Sequence, residues 1–280
     1  MRWSPDPEGW PWCARDRYRG DMRTAPPRSV MLWSVVLSLL VLIASVAGLV
    51  DSTPYAQETE NWRLQARGQD LGNLLAVAVL LAAAVRYRAG SGRAGRVWLG
   101  TLLYLIYAFI VYAMTVHLNY LFLVYIAVLG LSAWGVIFHV RDVRSRTTAY
   151  PEGRVRTVAA WVLIVTGVLF ALLWLSEIVP ALLTDSVPAS LTEAGLVVNP
   201  IQVSDLSVVL PGFIICGIAA LQGRDHGLFW LAPWLVFSVL MGASIVAAMV
   251  LLMVSGATGT LPAMVFVSLL VLASLVAVVE

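Results

Sequence analysis

Eight stretches of the chain are apolar for close to the length of a bilayer crossing, and no aqueous globule can bury that many. They run roughly over 30–50, 70–86, 97–116, 119–138, 157–178, 205–222, 228–253 and 261–279, against about 20 residues for a typical spanning helix. Hydrophobic residues make up 60% of the 280, charged residues only 12%, and the mean hydropathy is +0.86. Soluble domains carry about a quarter charged residues. The expected fold is therefore all-α, a polytopic transmembrane helix bundle of about eight spans with the lipid bilayer as its solvent.

The distribution of charge carries more information than the net charge of +2. All 18 basic residues are arginine, which excludes lysine Schiff-base chemistry. Six arginines precede residue 30, four lie over 86–96, five over 139–156 and one at 224. The alternate loops hold only Arg63 and Arg67. Short cytoplasmic loops carry the arginine excess, so both termini are expected in the cytoplasm, with the protein in the plasma (inner) membrane. The tail over 1–29 is rich in Pro, Gly and charge and is expected to be disordered. A signal peptide cleaved near Ser45-Val46-Ala47 competes with an anchor reading of the first span, but the long tail and full-length apolar run favour the anchor.

The two long outer loops resemble each other. One opens Asp51-Ser52-Thr53-Pro54 and ends at Asp70-Leu71; the other opens Asp185-Ser186-Val187-Pro188 and ends at Asp205-Leu206. Each is followed by a span, a short arginine-bearing turn and a Trp-Leu pair (Trp98-Leu99, Trp230-Leu231). This order suggests two four-helix halves, 30–138 and 157–280, joined by a linker over 139–156 and related by an axis along the membrane normal.

Polar residues near the hydrocarbon gather on the side away from the arginines. Asp70 and Asp205 stand where their spans are expected to begin, so each could cap a helix N-terminus. Asn73 follows Asp70 by one helical turn. His117 and Asn119 form the turn between the third and fourth spans, Glu177 lies deepest within an apolar run, and Asn199 and Gln202 lead into Asp205. Ionisable groups at membrane depth are costly unless they face a partner or cavity, so Asp70, Asn73, His117, Asn119, Glu177, Asn199, Gln202 and Asp205 form the candidate ligand site. Glu177 could instead reach water or pair with Arg63 or Arg67, and His117 could accept a proton or ligate a metal, or merely be solvated. Tyr104 and Tyr107 share a helix face whose hydroxyls could line a polar path, although aromatic packing explains them as well. Gly130, Ser132, Gly135, Gly242 and Ser244 suit close helix packing, while Pro211 and Pro233 are expected to bend their spans.

Phosphate-loop, GxSxG and HExxH patterns do not occur, and GSGRAG (90–95) reads as a flexible basic turn. No cofactor, metal or nucleic-acid partner is expected. The segments QDLGNLLAVAVLL, YLIYAFIVYAM, LNYLFLVYIAVLGLSAWG and NPIQVSDLSVVLPGFIICG resemble parts of a widespread group of uncharacterised bacterial multi-pass membrane proteins. That resemblance implies that Asp70, Asn119, Asn199 and Asp205 belong to the group's pattern, and it implies no activity. Three functions remain open: a carrier or permease with an outward-facing acidic site for a small molecule, proton-coupled if a carboxylate titrates; a membrane scaffold whose outer loops bind a protein partner; and an intramembrane lipid-modifying enzyme.

Overall fold

The computed structural model describes residues 28–256 and 260–279; most of the expected disordered tail, with Cys13, lies outside them. The helices are α1 (Arg28–Val50), α2 (Glu60–Arg88), α3 (Gly92–Thr115), α4 (Phe122–Ser145), α5 (Gly153–Leu183), α6 (Ala189–Ala194), α7 (Pro200–Ser204), α8 (Leu210–Leu221), α9 (Asp225–Val254) and α10 (Thr260–Val279). A π-helical turn, Asp205–Val209, joins α7 to α8 within one span. Seven helices among the described residues are long and apolar enough to cross a membrane, counting α7, the π-turn and α8 together. The eighth expected span falls on α10, whose described apolar stretch is Val267–Ala277. The protein is an all-helical, polytopic membrane bundle.

Both spans that carry the aspartates start earlier than the hydropathy suggests. The second begins at Glu60, where the Thr59 side chain accepts a hydrogen bond from the Trp62 N–H and caps the helix. The sixth begins at Pro200, with Asn199 accepting from the Ile201 N–H and Pro200 preset for the first helical position. Neither Asp70 nor Asp205 is therefore an N-cap. Asp70 lies about 15 Å along α2 from Glu60, and Asp205 about 7.5 Å from Pro200. The intervening loops shrink accordingly, to 51–59 and 184–199, the second containing α6.

Within α1–α4 each helix packs on the next and α1 closes against α4; α5, α8, α9 and α10 pack in the same order, with α10 closing on α5. The two groups meet where α9 lies across α2 and α3, and where α3 reaches α7. The α3 helix is the most enclosed, with 61% of its most apolar stretch buried against 28% for α4 and α5. Leu32, Ile43, Leu123, Ile137, Leu172 and Leu269 point outward, as a lipid-facing surface requires.

Close approach at the junction depends on missing side chains. A Cβ at Gly68 would overlap the Ala248 backbone, and one at Gly72 would overlap the Ser244 hydroxyl. On α3, a Cβ at Gly100 would press on the Pro233 carbonyl. By contrast Gly130, expected from the sequence to be a packing residue, has nothing within 4 Å of a Cβ position. GSGRAG has dinucleotide-loop spacing but joins two spanning helices. Ser91 in it caps α3 by accepting from the Ala94 N–H, and Gly95 packs on the Tyr87 ring.

The Gly68→Val protein is expected to lose about 1–3 kcal/mol of stability through forced separation of α2 and α9. Gly130→Ala should stay level or gain up to about 1 kcal/mol from helix propensity. Thermal unfolding in detergent, followed by monodisperse fraction, compares the two.

Candidate functional site

The α2 helix carries a polar stripe inside an apolar bundle. Asp70, 1% exposed, accepts the Tyr55 hydroxyl at Oδ2 (2.9 Å) and the Tyr112 hydroxyl at Oδ1 (2.8 Å). Tyr55 comes from the 51–59 loop, folded back into the bundle beneath Gly48 of α1. A Cβ at Gly48 would overlap both the carboxylate and the phenol. No arginine forms an ion pair with Asp70 among the described residues. Arg67, one turn away, instead donates to the Leu49 carbonyl at 2.7 Å, closing the end of α1.

Asn73 continues the network. Its Nδ2 donates to Ser45 Oγ of α1 at 3.1 Å, and its Oδ1 accepts the Tyr104 hydroxyl at 3.0 Å. Tyr104 also accepts from Gln69 Nε2 at 2.7 Å and lies 2.7 Å from Ser244 Oγ of α9. Four helices, α1, α2, α3 and α9, are thus tied by side-chain hydrogen bonds in their shared interior.

Asp205 has the same kind of environment in the other helix group. It is 8% exposed, and it accepts the Tyr107 hydroxyl at Oδ1 (2.9 Å) and the Trp174 indole N–H at Oδ2 (2.8 Å). The π-turn begins at this residue, and Pro211 just beyond it has no N–H to continue an α-helical ladder. Tyr107 and Tyr112 are five positions apart, a rotation of about 140° on α3. The two aspartates therefore approach different sides of one helix and do not share a pocket.

The remaining sequence candidates form two surface clasps. His117 donates its backbone N–H to Glu58 Oε1 (2.8 Å), with its ring Nδ1 2.9 Å from the same oxygen. Asn119 donates to the Pro54 carbonyl at 3.2 Å and accepts the Leu121 N–H at 2.8 Å. Together they pin the α3–α4 turn to the 51–59 loop. Glu177 accepts the Ser190 hydroxyl and, at 2.8 Å, the Gln202 amide, so it fastens α6 and α7 to the end of α5. It pairs with neither Arg63 nor Arg67; Arg63 sits on Glu60. Among the described residues no three His, Cys, Asp or Glu side chains converge as a metal would need.

A cleft of about 240 Å³ opens between α2, α3, α7 and α9 on this arginine-poor side. Gln65, Gln69, Tyr112 and Ser244 supply its polar groups, while Val111, Met241 and Ile245 help form an apolar wall. Trp62 also lines it; the residue is 5% exposed and its indole N–H has no hydrogen-bond partner among the described residues. Sequence reading passed over Trp62, Gln65, Gln69, Tyr55 and Trp174. The spacing of Gln65, Gln69 and Asn73, four residues apart on one helix face, was the available signal. No protein-family profile, curated protein or solved structure matches the chain.

Tyr107→Phe and Tyr112→Phe each leave a buried carboxylate oxygen without a donor, and each should cost about 1–3 kcal/mol. Because the two phenols serve different acids, the losses should add within about 0.5 kcal/mol, whereas Tyr107→Phe with Asp205→Asn should not. Double-mutant cycles on unfolding in detergent test both statements.

On the exposed rim, hydrogen bonds from the Thr53 side chain, the Tyr120 hydroxyl and the Thr53 backbone hold the Asp51 carboxyl below its ordinary value of 3.8. A depressed carboxyl stabilises the fold above 3.8 and loses that contribution as pH falls through its folded value. Acid titration of the folded fraction should therefore show a shallower loss in Asp51→Asn than in the parent protein.

Proposed function

We propose that the protein is a carrier or permease that takes a small molecule from the arginine-poor side into the cleft between α2, α3 and α9. Trp62, which lines the cleft and keeps a buried, unpartnered indole N–H, is the observation that carries this reading. A buried donor without an acceptor costs about 1–3 kcal/mol, and an acceptor on a bound molecule would recover it. Gln69 Oε1, which makes no hydrogen bond among the described residues, offers the complementary acceptor. Apolar walls and a volume near 240 Å³ suit a compact amphipathic metabolite. The cleft lies where the two four-helix groups meet, the place where carriers built from repeats hold substrates. The matching order of helix pairing in those groups supports reading them as two related halves. The arginine pattern supports a cytoplasmic arginine-rich face in the plasma membrane, which turns the cleft outward.

A scaffold role is the second reading, favoured by one observation. The end of α5 and the segment leading to α7 expose Leu182, Leu183, Val187 and Val197, the last 94% exposed. Such an apolar outer patch suits a membrane-protein partner.

The two readings separate in a thermal-shift screen of purified protein against neutral and acidic metabolites. A carrier should yield a compound that raises the unfolding temperature by about 3 °C or more near saturation. That shift should vanish in Trp62→Phe and Gln69→Leu and persist in Leu183→Ser with Val197→Ser. A panel that stabilises none of these proteins, or stabilises Trp62→Phe equally, rejects the cleft as the site.

A further inference from the structure

A second cavity, independent of the cleft, lies at the arginine-rich ends of the helices. Its volume is about 320 Å³, and Arg93, Arg96, Tyr150 and Glu152 line it above an apolar floor that includes Leu231 and Leu235. Arg96 is 5% exposed. Its guanidinium donates one hydrogen bond, from Nη2 to the Ala149 carbonyl at 3.2 Å, and sits 5.7 Å over the Tyr150 ring. Its Nε is buried with no hydrogen-bond partner among the described residues. Glu152 does not reach either guanidinium within 4 Å, and no other described carboxylate forms an ion pair with Arg96 or Arg93. Arg93 is one helical turn away on the same face of α3 and is exposed.

A guanidinium buried this far without a counter-charge is expensive, and removal from water is compensated only by an opposite charge with matched hydrogen bonds. The planar fork of Arg96 fits two oxygens of one tetrahedral anion, and Arg93 is placed to close over it from the solvent side. We propose that this cavity binds a phosphate-bearing anion, with Arg96 as the buried ligand and Arg93 as the outer one. The floor between α3, α5, α9 and α10 is apolar and the cavity stands at the ends of spanning helices, which suits the phosphodiester head group of an anionic phospholipid with its acyl chain along the floor.

The experiment uses the full chain in a non-ionic detergent, with thermal unfolding measured after addition of dioleoyl phosphatidylglycerol, dioleoyl phosphatidylcholine or inorganic phosphate. Phosphatidylglycerol should raise the unfolding temperature by about 4 °C or more beyond phosphatidylcholine when well above half-saturation. Arg96→Gln should abolish the difference. If Arg96→Gln does not fold, Arg93→Gln is read in its place, since its side chain makes no hydrogen bond or ion pair among the described residues; it should at least halve the shift. Stabilisation by inorganic phosphate equal to that by phosphatidylglycerol, with the same arginine dependence, assigns the site to a free anion. Equal shifts with both phospholipids and none with phosphate, or a shift unchanged in the arginine variants, overturns the proposal.

Discussion

Two carboxylates buried in an apolar bundle, each holding two aromatic donors, are the constraint around which the rest is arranged. Among the described residues neither Asp70 nor Asp205 forms an ion pair with an arginine, so hydrogen bonds are the main means of replacing lost hydration. Tyr112 and Tyr107 supply one donor each from α3, which fixes that helix between the two helix groups. The second donors come from elsewhere: Tyr55 from a loop that must fold inward, and Trp174 from α5. Gly48 and the π-turn follow from the same demand. The first leaves room for the Tyr55–Asp70 pair, and the second begins at the residue whose carboxylate α3 and α5 hold.

The clasps on the arginine-poor side belong to this arrangement. A 51–59 loop that delivers Tyr55 to the interior must itself be held, and Glu58 holding His117, with Asn119 holding the Pro54 carbonyl, does so. On the other half, Glu177 anchors both Ser190 and Gln202, and Gln202 lies in the turn just before Asp205. His117, Asn119, Glu177 and Gln202 thus shape the surroundings of the aspartates from outside.

The bundle class was legible because hydropathy is a sum, and sums survive ignorance of geometry. Helix starts were not legible for the same reason. The segment NWRLQARGQD ahead of Leu71 averages as polar, yet Trp62, Ala66 and Asp70 are buried on one side of α2 and Gly68 on another, while Arg63 and Arg67 sit at the margin of the first. A windowed average removes this first part of the span and leaves Asp70 looking like a cap. The same happens over NPIQVSD. Tyr107 was visible as a candidate and Tyr55 was not, and which phenol meets which acid depends on helix rotation and on a loop 15 positions from its partner. Local spacing does not encode either.

Binding capacity belongs to groups with unused hydrogen-bonding valence, and by that measure the most conspicuous acids are poor first contacts. Both oxygens of Asp70 and both of Asp205 already accept a strong donor from the protein. A ligand reaching either carboxylate would first have to displace an aromatic side chain. The Trp62 indole and the Arg96 guanidinium are in the opposite condition: buried, polar and lacking a partner at one nitrogen. They stand at opposite ends of the bundle, one beside neutral amides and one beside a second arginine. Tyr112 links the first of these sites to the interior, since it borders the cleft and donates to Asp70. A molecule that rotated the Tyr112 ring would leave Asp70 short of a donor, and occupancy of the cleft would in that way be coupled to the carboxylate that holds α2 and α3 together.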